Sequence, residues 1–171
     1  MSDVLIVIDM QNDFINGVLG SAEAAAIVPA VAKKIHLAID WDDKVIFTMD
    51  THNTIDSYNN SLEGIHIPPH CIRNTEGWML HKDLPFDDRY CKIITKNTFG
   101  YTWWTHELAE VDDIEICGLC TDICVINNAL ILRNLFPNKH IYIDAKSCAG
   151  TSPEKHQAAI EIMRSNLITI F

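Results

Sequence analysis

The stretch VLIVID, residues 4–9, indicates the fold class of this chain. It is a short and nearly continuous apolar run that is rich in β-branched residues, which is typical of a parallel strand buried on both faces. Segments of the same type recur further along the chain, at residues 44–50, 92–96, 114–118, 140–144 and 167–171. The sequence therefore predicts six strands.

Segments with helical periodicity lie between these strands, at residues 29–40, 101–109, 122–136 and 153–165. Pro29 and Pro153 suit the first turn of a helix, where a missing N–H costs no hydrogen bond. Thr121 suits the N-cap position of the third helix, and Pro137 follows the end of that helix. This alternation predicts an α/β fold, a three-layer, six-stranded, mainly parallel sheet with helices on both faces.

Length and charge limit the partners of the protein. A chain of 171 residues is about the size of one domain, so we expect a single domain over residues 1–171. With 23 acidic and 13 basic residues the net charge is −10, which disfavours nucleic acid and anionic membrane surfaces as partners. The N-terminal residues lack the features of a signal peptide, and no apolar run approaches the roughly 18 residues that span a bilayer. We therefore expect a cytoplasmic protein with reduced cysteines.

The long segment between residues 51 and 88 differs in composition from the rest of the chain. It holds four of the eight histidines and three of the six prolines, with little periodicity. Loops of this length inside a compact domain are usually functional. We expect this segment to contribute to a binding or catalytic site.

Polar residues follow the predicted strands at the points where those strands end. In an open parallel sheet, ligands bind beyond the carboxyl ends of the strands, so these residues would converge on one edge. An acid, a base, a thiol and metal ligands are all represented. The residues concerned are Asp9, Asp50, His52, Lys96, Cys120, Cys124 and Asp144.

Three cysteines fall within ICGLCTDICV, residues 116–125. Cys117 lies in a predicted strand, where a thiol behaves as a small buried hydrophobe, and Cys120 lies in the turn that follows. Cys124 lies near a helix N-terminus, where free N–H groups and the helix dipole can lower a thiol pKa, so it is the expected nucleophile. A redox pair of Cys117 with Cys120, or a metal clip that uses all three thiols, is the alternative interpretation.

These motifs together resemble a known family. VIDMQNDF at the first strand end, the lysine that follows IIT, and GLCTDICV resemble the isochorismatase-like cysteine hydrolases, and the resemblance covers nearly the whole chain. Within that family, MDTH followed by LEGIHIPPHC is similar to the nicotinamidase and pyrazinamidase branch, which carries a metal site. The resemblance implies the isochorismatase-like hydrolase fold.

The family's catalytic residues correspond to three positions of this chain. The resemblance implies that Asp9 is the general base, that Lys96 is the cation beside the thiolate, and that Cys124 is the nucleophile. It further implies an oxyanion hole formed by the backbone N–H groups of Cys120 and Cys124, with a cis peptide bond between Leu119 and Cys120.

The resemblance also implies metal ligands at Asp50, His52 and His70. Family members often carry another histidine soon after the Asp-x-His pair, but this chain has none there. Glu63 is the preferred fourth ligand and His66 is its rival. Mixed nitrogen and oxygen ligands suit zinc, with manganese or iron also possible.

Three apolar residues are candidates for the wall that contacts substrate. Phe14 and Phe99 lie close in sequence to the expected catalytic residues Asp9 and Lys96. Ile67 stands where some relatives carry tryptophan. The smaller isoleucine would widen the site or shift the choice of substrate.

The resemblance implies a metal-dependent amidase that hydrolyses nicotinamide, and pyrazinamide as its analogue, through a cysteine thioester. Its partner would be a small-molecule amide, and family habit implies a homo-oligomer. One alternative is a metal-free hydrolase of another amide or of a vinyl ether. The other is a non-enzymatic redox or metal-binding module that uses Cys117 and Cys120.

Overall fold

A six-stranded sheet forms the centre of the protein, as a computed structural model that describes residues 3–171 shows. All neighbouring strands are parallel, and their order is β3-β2-β1-β4-β5-β6. The prediction of a six-stranded parallel sheet is confirmed. The strands are β1 (Asp3–Ile8), β2 (Lys44–Asp50), β3 (Cys91–Lys96), β4 (Asp113–Leu119), β5 (His140–Ala149) and β6 (Thr169–Ile170).

Helices cover the sheet and make up the outer layers. The crossover from β1 to β2 and that from β4 to β5 run in opposite directions, so the right-handed rule places their helices on opposite faces. None of the helices within residues 3–171 is long and apolar enough to cross a bilayer. The helices are α1 (Asn12–Ile15), α2 (Ala22–Asp40), α3 (Ile55–Asn59), α4 (Leu62–His66), α5 (Trp104–Glu107), a π-helical turn (Thr121–Val125), α6 (Ile126–Leu135) and α7 (Pro153–Ser165).

The inner strands are apolar along their length because both of their faces are covered. Residues 4–8 of β1 are all buried, and in β2 every residue after Lys44 is buried. Strands of this kind do not alternate between apolar and polar residues. The same burial explains why the sequence identifies the strands well.

The first long helix begins earlier than the sequence predicts. Ser21 is the N-cap of α2, and its hydroxyl accepts a hydrogen bond from the N–H of Ala24 at 3.0 Å. Pro29 therefore lies inside the helix rather than in its first turn. The proline is tolerated because it is exposed, so that water can hydrate the carbonyl that loses its partner.

The segment after β4 also differs from the prediction. A π-helical turn precedes α6, and Cys120 rather than Thr121 occupies the N-cap position. Thr121 is the first residue of the turn, and its hydroxyl is bonded to Nδ1 of His156 at 2.8 Å. Wider π turns are frequent at functional sites.

Other boundaries shift as well. The predicted helix at residues 101–109 shortens to the single turn α5, and the predicted strand at 167–171 shortens to β6. The fifth strand is longer than predicted, because it continues beyond a register shift between Ile116 and Gly118 of its neighbour β4.

The chain changes direction between β1 and β4. From β1 it moves outward to β2 and β3, and it then returns to place β4 on the other side of β1. The loops that follow β1 and β4 therefore diverge and leave a crevice at the carboxyl edge, where ligands bind in such sheets.

Candidate active site

A cavity of about 430 Å³ lies at this edge of the sheet. The loop after β1, the segment around α4 and the turn after β4 each contribute to its wall. The cavity brings together the three predicted substrate-wall residues and much of the predicted polar set. Residues from the sequence analysis that line it are Phe14, Asp50, Glu63, Ile67, His70, Phe99, Cys120 and Cys124.

Three of the predicted site residues form a buried cluster. Nζ of Lys96 lies 2.6 Å from Oδ2 of Asp9 and 3.6 Å from Sγ of Cys124. The hydroxyl of Thr48 donates a hydrogen bond to Oδ1 of Asp9 at 2.6 Å. Asp9 is fully buried, with Lys96 and Cys124 each about 5% exposed. The carboxylate, the ammonium and the thiol are therefore close enough to exchange a proton.

The electrostatics of this cluster assign its resting charges. Burial opposes the charge of Lys96, but Asp9, Cys124 and Asp50 more than compensate and raise its pKa, so it stays protonated. Burial, together with the nearby charge of Asp50, raises the pKa of Asp9 overall, although Lys96 acts to lower it. Asp9 is therefore a stronger base than an exposed carboxylate.

The structure differs from the expectation of a lowered pKa at Cys124. Burial, with the nearby carboxylates of Asp9 and Asp50, raises the pKa of the thiol well above its usual value, although Lys96 acts in the opposite direction. The resting group is a neutral thiol, and a base must remove its proton before it can attack.

The other two cysteines of the cluster have different surroundings. Cys117 is fully buried within β4, as expected of a core residue. Cys120 reaches the cavity, but burial and the carboxylates of Asp122 and Asp9 raise the pKa of its thiol to about 12. The peptide bond between Leu119 and Cys120 is cis, as the resemblance implies. None of the six cysteines is in a disulfide.

Four side chains form a candidate metal centre beside Cys124. One ligand atom from each of Asp50, His52, Glu63 and His70 lies within 4.8 Å of every other. Oδ2 of Asp50 is 3.2 Å from Nε2 of His52 and 3.3 Å from Nε2 of His70. Oε1 of Glu63 is 3.5 Å from the same atom of His70.

Hydrogen bonds orient His70 toward this cluster. Its Nδ1 is 2.9 Å from the carbonyl oxygen of Pro68 and 3.2 Å from the hydroxyl of Tyr58. A carbonyl only accepts, so Nδ1 carries the proton and Nε2 presents its lone pair to the other ligands. Such outer bonds are a regular feature of metal-binding histidines.

The charges of the cluster also fit a bound cation. Within residues 3–171, Nε2 of His52 is buried without a hydrogen bond of acceptable geometry. Burial and repulsion from Asp50 raise the pKa of Glu63. A divalent cation would satisfy the imidazole and remove the repulsion between the carboxylates, so the residues present fit a metal of the kind that takes mixed nitrogen and oxygen ligands.

The structure separates the two candidates for the fourth ligand. Glu63 and His66 both lie on α4 and both line the cavity, but Glu63 alone of the two joins the four-residue cluster.

Asp144 does not join the site, because β5 continues past it. Its carboxylate instead contacts Lys34 at 3.0 Å and the hydroxyl of Ser147 at 2.8 Å.

Sequence patterns gave no role to two buried residues that hold site residues in place. Thr48 bonds Asp9, as described above. Gln11 donates from Nε2 to the carbonyl of Asp50 at 2.9 Å and accepts from the N–H of Asp50 at 2.7 Å. The available signal was a polar residue inside or directly after an apolar strand, where buried polar groups must find partners.

A model of the isochorismatase domain matches residues 3–170, nearly the whole length of the protein. The chain belongs to the isochorismatase family. The family resemblance inferred from the motifs is thereby confirmed.

Similar proteins match this chain over nearly their whole length, and two of them have solved structures with the same fold. The nicotinamidase of Schizosaccharomyces pombe is 26% identical over 205 residues, covering 97% of this chain and 91% of that protein. The crystal structure of nicotinamidase/pyrazinamidase from Bacillus subtilis matches with a TM-score of 0.87 and 27% identity over 99% of both chains. The pyrazinamidase of Pyrococcus horikoshii in complex with zinc matches with a TM-score of 0.85 and 28% identity, over 100% of this chain and 99% of that one. The predicted isochorismatase-like fold is confirmed.

Proposed function

We propose that this isochorismatase-family protein is a metal-dependent amidase that hydrolyses nicotinamide, and pyrazinamide as its analogue, to the acid and ammonia. One observation carries the proposal: the cluster of Asp9, Lys96 and Cys124 meets a candidate metal centre at one cavity. The relatives named above as nicotinamidases and pyrazinamidases support the choice of substrate.

The first half of the reaction uses Asp9 as a base. Its carboxylate accepts the proton of the Cys124 thiol, and Lys96, which contacts both groups, stabilises the thiolate that forms. Sγ then forms a bond to the carboxamide carbon. The backbone N–H groups of Cys120 and Cys124 hold the resulting oxyanion.

The second half reverses these proton transfers. Asp9 gives its proton to the amide nitrogen, and the C–N bond breaks. Ammonia departs, and the acyl group remains on Cys124 as a thioester. Asp9 next accepts a proton from water, whose hydroxide attacks the thioester carbon. The C–S bond breaks to release the acid, and Asp9 returns its proton to the Cys124 thiolate.

Asp50, His52, Glu63 and His70 would hold the metal in this scheme. A bound divalent cation, zinc first and manganese or iron as alternatives, would supply a Lewis acid that holds the ring nitrogen of the substrate. Phe14, a largely buried residue whose ring packs 5.3 Å from that of His70, would wall the substrate ring together with Ile67 and Phe99. A small-molecule amide as partner, a homo-oligomeric state and a cytoplasmic location remain parts of this proposal.

Ammonia release from nicotinamide tests the proposal. We expect the wild type to lose activity when a chelator removes metal and to regain it with zinc. Cys124→Ala should lower kcat/KM by at least about a thousandfold, as removal of a nucleophile does. Cys117→Ala, the matched control, should retain most of the activity, because its side chain only packs in β4.

Two outcomes would contradict the proposal. The substrate is wrong if the metal-loaded wild type releases no ammonia from nicotinamide. The division of roles among the cysteines is wrong if Cys117→Ala, with an unchanged circular dichroism spectrum, is as inactive as Cys124→Ala. Indifference to chelators would instead favour the metal-free hydrolase.

A further inference from the structure

The cavity extends beyond the reacting groups to the start of α7. Gly150, Thr151 and Lys155 line that part of its wall. None of these residues has a role in the proton transfers or in the candidate metal centre. The volume of about 430 Å³ also exceeds what one pyridine ring with a carboxamide fills.

Lys155 is the single lysine or arginine among the described residues that line the cavity. Lys96, the other cation of the site, is buried behind the wall and already pairs with Asp9. The carboxylates of the cavity, Asp50 and Glu63, come from β2 and α4 and belong to the candidate metal centre. A bound metal would offset the negative charge of these two carboxylates. Lys155 lies on a different element, α7, and no group of the candidate metal centre offsets its positive charge.

Lys155 is an exposed residue of the cavity wall, and no acidic side chain holds its ammonium within the part of the chain that the structure describes. Lys155 lies in the first turn of α7, where the helix dipole disfavours positive charge. Within residues 3–171 its ammonium makes no ion pair or side-chain hydrogen bond, and its backbone N–H alone is bonded, to Ser152. The carboxylate of Asp122 is bonded to Thr151 instead, because its two oxygens accept hydrogen bonds from the N–H and the hydroxyl of that residue.

We propose that the cavity accepts aromatic amides whose ring carries an anionic substituent, with Lys155 as the specificity-determining residue that binds this group. The inference rests on the proposed function and names a wider substrate class for the same site. The anionic group would meet the ammonium of Lys155, while the carboxamide lies over Cys124.

A pair of substrates of matched shape tests this inference. Nicotinamide with a carboxylate at ring position 5, which is distant from the ring nitrogen and from the carboxamide, is compared with nicotinamide that carries a neutral nitro group there. We expect the wild type to have a lower KM for the carboxylate. Lys155→Met should raise the ratio of the carboxylate KM to the nitro KM about fivefold at low salt, the size expected of a solvent-exposed ion pair. Lys155→Arg should preserve the wild-type ratio.

Lys33→Met is the matched control, because Lys33 is an exposed lysine of α2 outside the cavity wall. The inference is overturned if the KM ratio is the same in Lys155→Met and wild type, or if Lys33→Met changes it equally. It is also overturned if the wild type hydrolyses nicotinamide but not the carboxylate. Failure of the metal-loaded wild type on nicotinamide itself would instead overturn the proposed function, and this inference with it.

Discussion

Single residues of the same type have different chemistry in this site because their surroundings differ. Cys117 is buried in the core, and Cys120 faces the cavity, where burial and the carboxylates of Asp122 and Asp9 raise the pKa of its thiol. Cys124 alone lies 3.6 Å from the ammonium of Lys96. Because that ammonium also contacts the carboxylate of Asp9 at 2.6 Å, the proton of Cys124 has an acceptor and its thiolate has a counter-ion. Reactivity therefore depends on the pair of neighbours rather than on the spacing of the cysteines.

The fourth metal ligand gives a prediction at the residue scale. Glu63→Gln removes a carboxylate from the four-residue cluster, so zinc affinity should fall by at least about tenfold, as it does when ligand shells are altered. His66→Gln changes a neighbour on the same helix that lies outside the cluster, and its affinity should match the wild type. Competition with a chromogenic chelator measures both. A larger loss in His66→Gln would show that the histidine is the ligand.

Much of the site could be predicted at this scale because strand ends in a parallel sheet converge. Asp9, Lys96 and Cys124 follow three strands, and the structure brings them together. The choice between Glu63 and His66 could not be made, since both lie on one short helix and only the direction of each side chain separates them. Asp144 was wrongly included because the sequence does not show that β5 continues beyond it.

The elements around Cys124 are held in place by one buried amide. Oδ1 of Asn128 accepts from the N–H of Tyr101 at 2.9 Å and from Nε1 of Trp104 at 3.0 Å. Its Nδ2 donates to the carbonyl of Cys124 at 2.8 Å and to that of Phe99 at 3.2 Å. The side chain thus ties α6 and the π-helical turn to the loop that carries a cavity wall.

Removal of this amide should affect stability and activity together. Asn128→Ala leaves the buried donors of Tyr101 and Trp104 without an acceptor, so the free energy of unfolding should fall by about 2 to 4 kcal/mol. The value of kcat for nicotinamide should fall as well, because the turn of Cys124 loses its tie. Urea denaturation and ammonia release measure the two effects. Asn127→Ala, at the exposed neighbouring position, is the control, and equal behaviour of the two variants would contradict this role.

Strands could be predicted at the element scale more accurately than helices. A strand buried on both faces is apolar throughout, so β1 and β2 stand out from the sequence alone. Helix boundaries depend on single hydrogen bonds, such as that from Ala24 to Ser21, and on a proline that happens to be exposed. The π-helical turn could not be predicted, because the wide turn leaves no distinct pattern in the amino acids.

On the scale of the whole molecule, an ion-pair network links the outer layer to the sheet away from the cavity. Nζ of Lys34 on α2 lies 2.5 Å from Oε1 of Glu115 on β4 and 3.0 Å from Oδ2 of Asp144 on β5. Burial raises the pKa of Asp144, but hydrogen bonds from Ser147 and Lys34 outweigh it, so the pKa is lowered overall. The network therefore couples stability to pH independently of the active site.

The sign of this coupling follows from the lowered pKa. A carboxylate whose pKa is lower in the folded than in the unfolded protein stabilises the fold above its unfolded pKa, and loses this contribution as the pH falls through the folded value. At pH 7, Asp144→Asn should thus unfold at a lower urea concentration than wild type. Its free energy of unfolding should be lower by about 1 kcal/mol or less, because the ion pair is partly exposed. The difference should shrink as the pH falls below about 4, where Asp144 takes up a proton first in the unfolded protein and then, at lower pH, in the folded one. Asp88→Asn, at an exposed position, should show no such trend, and a difference that stays constant from pH 7 to acid pH would mean that Asp144 acts by packing rather than by charge.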